Sequence, residues 1–339
     1  MKELILLSPI VLVVLVSGCT DICLPWDSTC GIVTGTSDVL IIKDITATPS
    51  TITAGQQTRI TANIQNIGEE PIENFGDIEV KIYDYCKGHF EISSLDCPDA
   101  ASGSKSDTCM IKSILPQEIR QVSWVLTADD VAVPTVCPEK GVKVYVRYHY
   151  ITNGLTTIAF INPAERDRQL QEGTYAPTQS YSAVGEGPMK AIINVEDQQP
   201  IPAYDPTTCD TTSNPCPTTT ISLQVKNDAR GHPVPFSPEG DTEEFHINNE
   251  SLTITFPDEI KTTSVCRFPK NGNTGMPNNH IRLIDSSSSK FLCEIESLPV
   301  DLVPKETTRT IEVQMEYDYE FRDKVKVTVQ PSGALGSGG

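Results

Sequence analysis

The sequence predicts an all-β protein made of two copies of one β-sandwich, and three observations carry that prediction. First, Ile60, Ala62 and Ile64 alternate with Thr61, Asn63 and Gln65, the period of a half-buried strand. Asn66-Ile67-Gly68 then stops the strand, because Asn and Gly tolerate left-handed turn conformations. Second, the pattern returns at residues 220–233, with Ile221, Leu223 and Val225 alternating and Asn227 and Gly231 at the turn. Third, the 339 residues exceed an ordinary single domain, and 25 prolines, many Thr and Ser and few 3.6-period segments favour short strands. Two more matches recur in the same order. Val144 to Tyr150, with Tyr148-His149-Tyr150, parallels Val313 to Tyr319, with Tyr317-Asp318-Tyr319. Cys109-Met110-Ile111-Lys112-Ser113-Ile114-Leu115-Pro116 parallels residues 293–299 with one residue deleted. Duplication explains all three.

The elements follow in chain order. Residues 1–18 read as a signal peptide: Lys2, then an apolar run over 4–16 that is too short for a membrane span of about 20 residues. Leu15-Val16-Ser17-Gly18-Cys19 resembles the lipobox of lipoprotein signal peptides. That resemblance implies cleavage before Cys19, a lipid on its thiol and anchorage of the mature chain to a membrane. Setting Cys19 aside leaves ten of the eleven cysteines, an even number that reads as disulfides in an exported chain. None is spaced Cys-x-x-Cys, so a zinc site is not indicated. Residues 19–37 are expected to be a spacer, with Cys23 and Cys30 closing a small loop.

A first domain is expected over 38–162. Its order is Val39-Leu40-Ile41-Ile42, a turn through Pro49-Ser50 and Ala54-Gly55, then the strand ending Asn66-x-Gly68. This order resembles the CARDB family, the immunoglobulin-like cell-adhesion-related domains of prokaryotic surface proteins, at Pro49, Ser50, Gly55, Asn66 and Gly68. The resemblance implies an immunoglobulin-like Greek-key sandwich and a role in adhesion. Further strands are expected around Ile78-Ile82, Ile111-Leu115, Val122-Leu126, Val142-Tyr150 and Thr156-Ile161, with Trp124 in the core. Asn162-Pro163-Ala164-Glu165 has an N-cap, a Pro at the first position and a Glu three after the cap, so Pro163 to Glu172 should be helical. It is expected to pack where the domains meet, with 163–188 as helix and linker. A second domain follows over 189–330, with strands at 191–195, 252–256, 281–284, 311–321 and 325–329. Residues 331–339 have flexible-tail composition.

The disulfides divide into simple and open cases. Cys209–Cys216 should close locally, which leaves Cys266–Cys293. Cys86, Cys97, Cys109 and Cys137 permit three connectivities. The repeat sets Cys109 opposite Cys293 and favours Cys86–Cys109 with Cys97–Cys137. The competing scheme is Cys86–Cys137 with Cys97–Cys109.

Composition and motifs narrow the function. A net charge of −19 and a pI near 4.6 exclude nucleic acid as a partner, since phosphate binding needs clustered Lys and Arg. No Gly-x-Ser-x-Gly, His-Glu-x-x-His or phosphate-cradling Gly loop is present. His89, His149, His232, His246 and His280 are scattered, and His149 alternates with two tyrosines, which places it on a solvent face. Asp205, Asp210, Asp228 and Asp241 lack the Asp-x-Asp-x-Asp-Gly pattern of a calcium loop. Asp129-Asp130 and Glu243-Glu244 read as solvated pairs rather than an acid and a base. Asn249-Glu250-Ser251 is a glycosylation sequon. The expectation is a non-enzymatic, exported, membrane-anchored surface protein without cofactor or metal. It would bind a protein or glycan ligand, or serve as a filament subunit or a hydrolase accessory, and self-association is open.

Overall fold

The computed structural model describes residues 32–34, 38–72, 78–86, 88–98, 100–101, 103–129, 135–136, 141–178, 180–209, 216–234, 236–239, 242–246, 252–263, 266, 280–284 and 286–331. The first half of the chain runs β1 (Ile32–Thr34), β2 (Leu40–Thr48), β3 (Thr51–Thr53), β4 (Gln57–Asn66), β5 (Ile78–Asp84), β6 (Phe90–Asp96), β7 (Thr108–Ile111), β8 (Ile119–Ala128), β9 (Thr135–Val136) and β10 (Val142–Ile161). Helix α1 (Pro163–Glu172) follows. The second half runs β11 (Tyr181–Val184), β12 (Met189–Val195), β13 (Ile201–Pro202), β14 (Thr218–Asn227), β15 (His232–Val234), β16 (Phe236–Glu239) and β17 (Thr242–His246). It closes with β18 (Leu252–Thr255), β19 (His280–Ile284), β20 (Ser287–Ser288), β21 (Phe291–Glu296), β22 (Glu306–Val325) and β23 (Thr328–Gln330). The architecture is the all-β sandwich the alternation predicts.

The repeated strand occupies the same place in both halves. In β4 the even positions from Thr58 to Asn66 are buried and the odd ones face outward. It pairs antiparallel with β2 and β8 in a four-stranded sheet ordered β2-β4-β8-β6. β14 pairs in the same way with β12 and β21. Ile60 stands opposite Trp124, and Ile221 stands opposite Cys293. Trp124 is fully buried, as its position in the alternation requires.

The two turn asparagines share two bonds. Asn66 Nδ2 donates to Glu70 O at 2.8 Å, and Gly68 N–H donates to Asn66 Oδ1 at 2.9 Å. Asn227 Nδ2 donates to Gly231 O at 2.9 Å, and Ala229 N–H donates to Asn227 Oδ1 at 3.3 Å. Both side chains are buried, so these bonds satisfy backbone groups that water does not reach.

β10 and β22 organise the molecule. Each is 20 residues long, and they pair antiparallel over their full length, from Val142↔Val325 to Ile161↔Glu306. The start of β10 also pairs with β5 of its own half, while its end pairs with β11 and β13 of the other. β22 pairs with β18 and β15 of its own half, and its end lies beside β2. β23 then runs parallel to β3 and antiparallel to β9, back in the first half. Each half therefore completes its sheet with a strand end supplied by the other. Even positions of β10 and odd positions of β22 share the buried face, and one hydrophobic core runs through both halves.

Several expectations need correction. Cys109 sits on β7, opposite Val80 of β5, whereas Cys293 sits on β21, opposite Ile221 of β14. The two cysteines are not equivalent, because a strand running into Leu-Pro does not specify which sheet it joins. Accordingly Cys97–Cys109 is the bridge, with Cα atoms 5.5 Å apart, and the Cys86–Cys109 pairing is overturned. Cys86 is disulfide-bonded too, and Cys137 lies outside the described residues. Cys209–Cys216 and Cys266–Cys293 pair as expected.

The helix has its predicted span and caps: Ala164 N–H donates to Asn162 Oδ1 at 3.0 Å, and Gly173 closes it with φ 67°. None of its residues is buried, however, so it does not fill the junction. Strand pairing occupies that space instead. The expected linker contains β11, and the expected spacer ends in β1, which pairs parallel with β11. The boundary at 162 is not a spatial one, since residues 154–161 lie among strands of the second half. The signal segment 1–18, Cys19, Cys23, Cys30, Asn249 and the tail beyond Pro331 lie outside the described residues.

Candidate functional site

The seam between β10 and β22 has a centre of symmetry that the sequence explains. Tyr148 stands opposite Tyr319, Tyr150 opposite Tyr317, and His149 opposite Asp318 between them. Since Tyr148-His149-Tyr150 and Tyr317-Asp318-Tyr319 are copies of one motif, the repeat pairs with itself about the His149–Asp318 position.

On the buried face the four tyrosines pack together, edge to face for Tyr148–Tyr319 and Tyr317–Tyr319 and tilted for Tyr150–Tyr317. Ring centroids lie 6.0 Å apart for Tyr148–Tyr319, 6.3 Å for Tyr317–Tyr319 and 6.4 Å for Tyr150–Tyr317. The hydroxyls of Tyr148, Tyr317 and Tyr319 are bonded. Met189 N–H donates to the Tyr317 oxygen at 3.1 Å, and Thr152 Oγ1 lies 2.8 Å from it. Tyr319 donates to Asn227 Oδ1 at 2.9 Å, and the Leu40 backbone bonds the Tyr148 hydroxyl. Leu40 stands opposite Asn66 and Met189 opposite Asn227, so these two backbone contacts are equivalent as well. Burial raises the pKa of Tyr148, Tyr317 and Tyr319, and it pushes Tyr150 up to about 12 with help from the Glu186 and Glu70 charges.

The outer face carries charge arranged across the seam. Arg147 of β10 donates to Glu320 Oε2 of β22 through Nη2 at 2.7 Å and Nε at 3.2 Å. Arg322 Nε donates to Glu320 Oε1 at 2.6 Å, and His232 Nε2 of β15 lies 3.7 Å from the same oxygen. Only 2% of the Glu320 side chain is exposed, so a buried carboxylate is held by two arginines, from β10 and β22, beside His232 of β15. Tyr145 donates to Glu79 Oε1 at 2.6 Å, and Arg147 lies over its ring at 5.3 Å. Lys143 bonds Asp84 at 2.6 Å, while Lys143 and Arg322 both sit over Tyr83. Burial lowers the His232 pKa, and the Arg322 charge lowers it further.

His149 lies on this outer face, as its alternation predicts, with Nδ1 2.9 Å from Asp318 and Nε2 3.2 Å from Glu316. Asp205 accepts the backbone N–H of Thr207 at 2.8 Å and the Thr207 hydroxyl at 2.7 Å, a local turn. Asp129 follows β8, Glu243-Glu244 lie within β17, and Asp130, Asp210 and Asp241 are outside the described residues. The seam does not bring Asp205, Asp129 or Glu243 together. Among the described residues no group of three or more His, Cys, Asp and Glu could hold a metal ion.

Sequence reasoning passed over Glu79, Tyr145, Arg147, Glu320 and Arg322. A signal was present. Arg147 and His149 on the outward face of the first copy stand opposite Glu320 and Asp318 of the second, although Lys143 stands opposite Lys324. Opposite charge on two copies of one strand motif is the signature of copies that pair with each other.

The disulfides Cys97–Cys109, Cys209–Cys216 and Cys266–Cys293 place the chain in an oxidising, exported setting, and no helix among the described residues is long and apolar enough to cross a membrane. No family model and no curated protein matches the chain. Among solved structures it is similar to Escherichia coli alpha-2-macroglobulin activated by porcine elastase, at 9% identity and a TM-score of 0.19. That match covers 83% of this chain and 32% of the other, so the chain spans about a third of its length, and a likeness this low speaks for neither fold nor activity.

Proposed function

We propose that this is a non-enzymatic, exported surface protein, anchored through a lipid on Cys19, whose immunoglobulin-like, CARDB-like sheets form one rigid binding unit for a protein or glycan ligand. The observation that carries this reading is the shared sheet. Pairing over 20 residues holds both halves in one orientation and leaves a single broad outer face of charged and aromatic side chains. That face offers Tyr181 at 50% exposure and Leu155 at 38%, beside the exposed Glu312 and Gln314. Aromatic and charged groups on a preorganised surface are what protein and glycan recognition draws on.

A filament built by edge-to-edge pairing is less well supported. The outer strands of the four-stranded sheet, β2 and β6, each carry a bulge, near Lys43 and Ser93, and bulges at edges obstruct further pairing.

The test has two arms. Cell fractionation and mass spectrometry of the mature N-terminus should show a lipid on Cys19 and membrane association, both lost in Cys19→Ala. Binding of purified protein to cells or a glycan array should fall at least tenfold in Leu155→Asp and Tyr181→Asp, with unfolding unchanged. Unaltered binding in both variants would place the ligand elsewhere.

A further inference from the structure

We propose that the seam also joins two copies of this chain: β10 of one molecule pairs with β22 of another, giving a strand-exchanged dimer. This goes beyond the surface-binding reading and does not depend on it. The backbone joins the halves on either side of the seam from Asn162 to the start of β11. That connection is lightly attached. No residue of α1 is fully buried, and its side chains reach the body at Gln169, which bonds Glu306 at 2.9 Å, at Arg166, whose Nε is shielded from solvent, and at Glu165, beside the Lys305 charge. At its ends, Asn162 bonds Val303 O and Lys305 O, and Thr178 pairs with Gln199.

If the connection takes another course, every seam contact can form between molecules instead of within one. The tyrosine packing, the Arg147–Glu320 ion pair and the β23–β3 pairing are all contacts between halves. Two molecules exchanging halves would satisfy both seams and leave no strand unpaired. No new interface is needed, which is why exchange of identical elements is a low-cost route to dimers. Charge fixes the partner strand. A β22–β22 seam in the same register would set Asp318 against itself and Glu316 against Glu320, and a β10–β10 seam would forfeit the Arg147–Glu320 ion pair by setting Arg147 against Ile151. The bulged edges of β2 and β6 disfavour the competing mode of association. What separates monomer from dimer is then the connection and concentration, since a tether imposes an effective local concentration that free copies must match.

The test uses the mature chain with Asn153→Cys and Gln314→Cys, two exposed positions directly opposite each other in the seam. The protein is unfolded in guanidinium with its native disulfides intact. It is then refolded at about 1 μM and at about 1 mM, below and near the effective concentration of a flexible tether. After oxidation, non-reducing denaturing gels should show a link within one chain from the dilute sample. Covalent dimers should appear from the concentrated one. Neither single variant should cross-link, because exchange sets 153 against 314. Links confined to one chain at both concentrations, or equal cross-linking by a single variant, would overturn the proposal. The unsubstituted protein refolded at the same two concentrations provides a second reading by light scattering: a dimer from the concentrated sample supports exchange, and monomer alone from both refutes it.

Discussion

Asn66 and Asn227 show how single residues set the geometry of each half. Each amide bonds a carbonyl four residues on and accepts an N–H two residues on, and Asn66 Nδ2 reaches Ile114 O at 3.0 Å as well. Replacing either by Ala leaves buried backbone groups without partners, at about 1–3 kcal/mol for each unsatisfied group. Asn66→Ala and Asn227→Ala should each lower stability by about 2–3 kcal/mol in denaturant titration. A loss under about 0.5 kcal/mol would deny them this role. The tyrosines define a pH window. Burial raises the folded pKa of Tyr150 from 10.0 to about 12 and raises Tyr148, Tyr317 and Tyr319 in the same direction. The unfolded phenols release their protons first, so the stabilisation is complete below pH 10 and is lost as pH climbs through 12. Guanidinium midpoints should fall over that interval, and phenolate absorbance should rise together with unfolding. Tyr317→Phe should flatten part of the slope.

At the scale of elements, β10 depends on one residue that has no side chain. Gly154 lies opposite Val313, and an added Cβ would stand 2.8 Å from Ala191 O of β12 and 2.9 Å from Val313 Cγ1. β12 crosses the shared sheet this closely because nothing projects from position 154. Gly154→Ala must push a backbone strand away, so it should cost about 1–3 kcal/mol, the range for overpacking a filled core. Gly187 plays the matching part at the turn before β12. Its φ is +129°, and a Cβ there would meet Thr152 Oγ1 and come within 2.8 Å of Tyr150 Cε1. Gly187→Ala therefore combines backbone strain with a clash in the tyrosine cluster, and it should lower stability more than Gly154→Ala does. Equal or smaller losses at Gly187 would show that the turn simply moves aside.

At the scale of the molecule, the halves should behave as one unit, because each sheet is finished by the other half. The exposed helix between them contains Arg166 and Arg168, the latter paired with Glu165 and Glu172. Trypsin should cut there first in the native protein, and both fragments should stay together in gel filtration until denaturant is added. Fragments that separate in native buffer would contradict the seam. Thermal and denaturant unfolding should show one transition by every probe; two transitions would mean that the halves are stable apart.

The sequence by itself determined whatever depends on neighbours along the chain. Alternation marked β4, β10 and β22, the turn asparagines marked the repeat, the capping residues marked α1 from Pro163 to Glu172, and short separation marked Cys209–Cys216. Only the tertiary structure decided which strands meet. A period-two pattern states that a strand has a buried face, but it says nothing about the partner on either edge. The sequence predicts separate strands at 142–150 and 156–161, with a break between them, whereas β10 is one strand of 20 residues. Its pairing with β22 removes the break by hydrogen-bonding straight through it. The same gap explains the cysteines: Cys97 and Cys109 are joined because β6 and β7 flank one loop in space, a fact of packing that repeat arithmetic over Cys109 and Cys293 does not contain.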